Sequence, residues 1–158
     1  MFRPMRRSKK EISQELAEDL LKTAVRGVLA VNGDDGYPFA IPINYYYDSD
    51  AKKIYFHGAK AGHKVDSLKK DDKVCFTVYG NEHVKEGDWA NPLQSVVVFG
   101  RCQLVDDPEA TASHVRTLAE KYYPSTEAID AEMKKDLPGA QLYVITIEHM
   151  TGKEVTEK

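Results

Sequence analysis

The residues best placed to do chemistry in this 158-residue chain lie between Tyr55 and Leu68. There a short apolar segment ends in Phe56-His57-Gly58, a loop runs to Gly62, and His63-Lys64 opens a stretch of helical character, Val65-Asp66-Ser67-Leu68. Glycines let the backbone come close to a ligand. Free amides at a helix start, together with the helix dipole, favour an anion there. Lys64 would add a full positive charge and His63 a second donor. The same spacing also describes a plain solvated strand-to-helix turn, and it matches neither the P-loop nor the dinucleotide glycine pattern. Other chemistries are poorly served. No nucleophile-elbow spacing surrounds a serine or cysteine. The histidines, His57, His63, His83, His114 and His149, are scattered rather than set at metal-ligand spacing, so no metal site is expected. No catalytic acid or base stands out.

The order strand, Phe56-His57-Gly58-Ala59, loop, Gly62-His63-Lys64, Val65-Asp66-Ser67-Leu68 resembles the signature of the pyridoxamine-phosphate-oxidase-like split-barrel flavoproteins. Within them it is most similar to the 5-nitroimidazole resistance (Nim) family. The resemblance extends to Met5-Arg6-Arg7, Gly27-Val28-Leu29-Ala30, the run from Tyr37 to Asn44, and Ser95-Val96-Val97-Val98-Phe99-Gly100. It implies FMN as cofactor, with FAD possible and haem a remoter alternative. The family's flavin contacts would fall on Pro42, Ile43 and Asn44, on Phe56, His57 and Gly58, on His63 and Lys64, and on Ser95. His63 stands where the oxidases proper carry arginine, as in the Nim-like branch. That, with the missing arginine- and tryptophan-bearing ending, argues against pyridoxamine phosphate as substrate.

The resemblance further implies a homodimer with flavin at the subunit interface, contacts from Arg6 and Arg7 to the body of the protein or to a neighbouring subunit, and reduction of nitro groups on small molecules by the reduced flavin. Two other classes compete. One is a haem-binding or haem-degrading split barrel, with His57 or His149 as an axial ligand. The other is a non-catalytic flavin- or ligand-binding module, including an oligonucleotide reader.

Several elements must position these residues. Residues 8–25 read as a helix, with Ser8 and Glu11 as a capping box and Ile12, Leu16, Leu20, Leu21 and Ala24 as its apolar stripe. Asn32-Gly33-Asp34-Asp35-Gly36 signals a hairpin. Pro38 to Tyr47 reads as one edge or irregular strand, because it holds two prolines. Phe39, Ile41, Ile43, Tyr45 and Tyr47 form its core face, and Ala40, Pro42, Asn44 and Tyr46 the other. That second face of small side chains suits either a flat ring or another subunit, or it is simply half exposed. Strands follow over 53–57, 73–79, 95–105 and 141–148. Asp107-Pro108 starts a helix to about Tyr122, and Ser125 starts another that ends by Pro138-Gly139. The lone Trp89 reads as a packing anchor or a pocket wall. Residues 1–7 and those from Met150 onward read as loose tails of one domain spanning 1–158. The expected class is α+β, an antiparallel six- to seven-stranded split β-barrel with a leading helix and an inserted helix pair.

Composition fits this reading. Hydrophobic residues make up 42% and charged residues 30%, which describes a folded globular chain rather than a disordered one. A net charge of -3 offers no electrostatic case for a nucleic-acid partner. No apolar run is long enough to span a membrane. Cys75 and Cys102, in strand-like segments, read as free thiols of a cytoplasmic protein.

Overall fold

A computed structural model describes residues 1–155 apart from 85, 88 and 90. Seven antiparallel strands form one sheet: β1 Gly27–Asn32, β2 Pro38–Ile43, β3 Tyr46–Asp48, β4 Lys53–Gly58, β5 Lys73–Gly80, β6 Leu93–Val105 and β7 Gln141–Val155. Their order is β2-β1-β5-β6-β7-β4-β3, so β2 and β3 are the two edges and the barrel is split between them. Four helices complete the α+β fold: α1 Gln14–Thr23, α2 His63–Lys70, α3 Pro108–Tyr122 and α4 Thr126–Asp136. Leu29, Ile54, Phe56, Phe76, Val98 and Ile145 fill the barrel interior, and Leu21 of α1 plugs it.

The single strand expected over 38–47 is two strands on opposite edges. The chain leaves the β1 ladder after Ile43 and joins β4 at Tyr46. At the crossing, the amide of Tyr45 donates to the Tyr122 phenol at 3.0 Å instead of to a neighbouring strand. The single phenol proton is shared between the carbonyls of Val25 at 2.6 Å and Tyr45 at 3.0 Å. Lys121 adds bonds to the carbonyls of Ala24 and Tyr45 at 2.7 and 3.1 Å. Side-chain alternation survives the break, since Tyr45 and Tyr47 are buried while Pro42 and Asn44 are exposed.

Other expectations are corrected. The first helix starts at Gln14 behind Ser13, whose side chain accepts from the Leu16 amide, and Ser8–Lys10 is only a 3-10 turn. Glu11 bridges to Lys153 and the Ile12 amide bonds to the Gly152 carbonyl, so tertiary pairing draws this segment away from the helix. Leu16, placed in the apolar stripe, is 46% exposed, and Ala17 takes its place in the core. The supposed loose carboxyl tail is strand: β7 runs on to Val155, paired to Leu93. A bulge between Phe99 and Gly100 lets the two long strands bend there. Trp89 is 83% exposed rather than packed as an anchor. In the first seven residues it is Phe2 that meets the sheet, stacking on His149 and Phe99 at 4.9 and 5.5 Å, while Arg6 and Arg7 are exposed. Cys75 and Cys102 are free.

Candidate functional site

The register brings four chain segments to one end of the barrel. Gly27 pairs with Ile43, which sets Arg26 beside Asn44. Tyr46 pairs with Tyr55, and the same register continued carries Asn44 toward His57. After β4, the loop and Gly62 turn the chain into α2. Gly62 has φ +135°, a conformation that only glycine adopts without strain. No side chain caps α2 there, so its first amides are open to a ligand.

These segments enclose a cleft of about 410 Å³ lined by Arg26, Pro42, Ile43, Asn44, His57 and Lys64, with Ile41 behind. Its ionisable walls are all basic. The Lys64 ammonium lies 4.7 Å from the ring centre of Tyr143 and 5.4 Å from that of Phe56, two rings stacked 4.8 Å apart. Among the described residues no carboxylate pairs with it. Burial holds the Lys64 ammonium below the ordinary lysine range, with Cys102 pulling weakly the other way. A half-buried cation without a counter-ion is costly, and an anion in the cleft would relieve it. Gly58 allows the arrangement, because a Cβ there would stand 2.9 Å from the Lys64 Nζ. His57 keeps solvent contact yet sits in a groove dense with protein. Desolvation therefore lowers its pKa, Lys64 adds to the fall, and Asp136 opposes it. Near neutral pH its ring is uncharged, able to accept or donate one hydrogen bond.

The cleft thus gathers Pro42, Ile43, Asn44, His57 and Lys64. Phe56 is wholly buried beneath it and supports Lys64 from below. His63 points elsewhere, stacking on Phe39 at 4.1 Å with its Nε2 3.6 Å from Asp34. Ser95 lies far off, opposite Lys153 near one end of β7, whereas Gly58 faces Gln141 at the other. His149 is under Phe2, its Nε2 buried and without a hydrogen-bond partner among the described residues. Arg26 joins the site without belonging to any of the motifs above. The hairpin at 32–36 was the signal for it: once Gly27 pairs with Ile43, the preceding arginine must flank Asn44.

A second, smaller space of about 70 Å³ adjoins the cleft through Asn44 and His57, and α3 and α4 wall it.

A family model described as pyridoxamine 5'-phosphate oxidase matches residues 13–154. The sequence matches no curated protein. Among solved structures, similarity extends to a Bacteroides thetaiotaomicron protein provisionally assigned to 5-nitroimidazole antibiotic resistance. The two are 16% identical with a TM-score of 0.75, covering 91% of this chain and 86% of that one. A conserved hypothetical protein of Mycobacterium tuberculosis aligns at 20% identity and TM-score 0.77, over 95% and 90% of the two chains. An FAD- and haem-binding protein of Mycobacterium smegmatis aligns at 19% identity and TM-score 0.74, over 94% and 74%. At such identities these likenesses speak to the fold.

Proposed function

We propose, as the chain belongs to the pyridoxamine 5'-phosphate oxidase family, that it binds FMN in this cleft and acts as a flavin-dependent oxidoreductase of nitroreductase type. One observation carries the reading: Lys64 is a half-buried ammonium without a counter-ion among the described residues, facing a cleft whose ionisable walls are all basic. The residues fit the group. Lys64 and the open amides of α2 would take its phosphate as a charge-assisted site, and Arg26 would share the load from the opposite wall. Pro42 and Ile43 offer a flat apolar surface to a ring, and the Asn44 amide can meet a hydrogen-bonding edge. The flavin, when bound, supplies the electron transfer. The protein supplies orientation, exclusion of water and a neutral imidazole at His57 that can hold or release a proton. Small nitroaromatic compounds such as 5-nitroimidazoles are the substrates this reading favours.

Ser95 could reach the cofactor only from a second copy of the chain. The homodimer would join the outer sheet faces carrying Ala40, Pro42 and Asn44 and the partly exposed Val97 and Phe99. Haem is the competing occupant, and His57 is the better-placed ligand, since Phe2 covers His149.

The test is the absorption spectrum of the purified protein and chromatography of what it releases on denaturation. Flavin bands and released FMN are expected, and anaerobically reduced protein should be reoxidised by a 5-nitroimidazole. A Soret band without flavin, or released FAD in place of FMN, would contradict the assignment.

A further inference from the structure

The space behind Asn44 and His57 has a character opposite to that of the cleft. Val115, Leu118 and Ala119 of α3, with Met133 of α4, give it apolar walls. Its carboxylates are Glu132 and Asp136, one helical turn apart on α4 and so on one face. Like charges at that spacing weaken a helix, and here they are turned toward the space. Asp136 beside it holds the Glu132 carboxyl above the ordinary range, with Lys135 and the Tyr123 hydroxyl opposing. The groove side of the partition is basic and the helix side is acidic. Asn44 and His57 belong to both walls.

We infer that the α3–α4 chamber is the seat of the substrate, and that it admits a small single-ring molecule carrying a cationic or neutral hydrogen-bonding group while rejecting anions. This rests on the adjacent cleft holding the flavin. Size limits what enters: an enclosed cavity of about 150 Å³ takes a benzene ring, so this open-mouthed chamber of about 70 Å³ takes the leading part of one ring and leaves the rest outside it. Charge supports the inference. A cation would relieve the repulsion between Glu132 and Asp136, whereas a carboxylate would face both. A bound ring would then touch Asn44 and His57, the residues it shares with the cofactor.

The experiment uses three probes of one shape, benzamidine, benzamide and benzoate, titrated calorimetrically into the purified protein at fixed ionic strength. Benzamidine should bind tightest and benzoate at least about tenfold more weakly. Asp136→Asn, a change near the surface, should shrink that ratio to about threefold or less. Met133→Trp fills the chamber and should abolish binding of all three probes while FMN affinity stays within about twofold of wild type. Benzoate binding as tightly as benzamidine would overturn the inference, and this comparison needs no variant to fold. Unchanged benzamidine binding in a folded Met133→Trp protein would overturn it too. Benzamidine binding by a protein that takes up no FMN would sustain the chamber and overturn only the flavin reading.

Discussion

Lys64 is where sequence, packing and function meet. Its charge is held over two aromatic faces by the absence of a side chain at Gly58. Gly58→Ala would push the ammonium aside. Only the flexible end of Lys64 has to move, so thermal stability should change little, while FMN affinity should drop by about tenfold or more. An equal FMN affinity in Gly58→Ala would show that the position of the ammonium is irrelevant. Lys60 is the natural control: it lies in the same loop but reaches toward the Pro138 carbonyl at 3.5 Å. Lys60→Ala should leave FMN titrations within about twofold of wild type. Side-chain identity was legible here, because cation, glycine and histidine stand together in the chain. Side-chain direction was not. His63 and Lys64 are neighbours in sequence but point apart on α2, one to the Phe39 ring and Asp34, the other into the cleft.

At the level of elements, the decisive feature is the crossing at Asn44 and Tyr45. Period-two alternation runs unbroken from Phe39 to Tyr47, so nothing local announces the change of partner strand. The break comes from the end of α3, more than seventy residues away in the chain, where Tyr122 and Lys121 take up the backbone groups that the ladders leave free. Tyr122→Phe removes both the donor to Val25 and the acceptor for the Tyr45 amide. Urea denaturation should show a loss of about 1–3 kcal/mol, with FMN affinity falling alongside because Arg26 and Asn44 flank these anchors. Full affinity in a destabilised Tyr122→Phe would separate the clamp from the site. The second half of β7 was illegible for a similar reason. Its composition is polar, and pairing with the equally long β6 overrides that. The bulge carries a sharp constraint of its own: a Cβ at Gly100 would overlap the Thr146 carbonyl. Gly100→Ala should therefore cost about 1–3 kcal/mol in the same assay. By contrast, the caps at Asp107 and Ser125, read from the sequence, hold as expected.

For the whole molecule, the fold class and strand count were legible because turn residues and apolar alternation agree along most of the chain. The edge-to-edge opening of the sheet was not, since it depends on how the two ends of one strand-like run are shared. The folded state also carries a pH signature. His57 and His114 are both held below the ordinary histidine range, each chiefly by burial. The Tyr46 phenol bonds the His114 Nδ1, and the His114 ring stacks on Tyr55 at 3.9 Å, tying α3 to β3 and β4. A folded pKa below the unfolded one means that the unfolded chain binds more protons as pH falls below about 6.5. Stability should therefore decline between pH 7 and 5, and melting temperatures across that range should flatten in His114→Phe. A wild-type profile that rises toward pH 5 would contradict the burial of these rings. Sedimentation should show a dimer at micromolar concentration when FMN is bound; a flavin-loaded monomer would remove the proposed role of Ser95.

The central claim, an anion site at the start of α2 built for the phosphate of FMN, is tested most directly by comparing FMN with riboflavin, which has the same ring and no phosphate. Fluorescence-quenching titrations would be run on wild type and Lys64→Ala. A charge-assisted contact of about 1.5–3 kcal/mol predicts that wild type binds FMN roughly 10–150-fold more tightly than Lys64→Ala does. The gap should widen as salt is lowered, while riboflavin binds the two proteins almost equally. Equal FMN affinity in wild type and Lys64→Ala, or riboflavin bound as tightly as FMN by wild type, would contradict it.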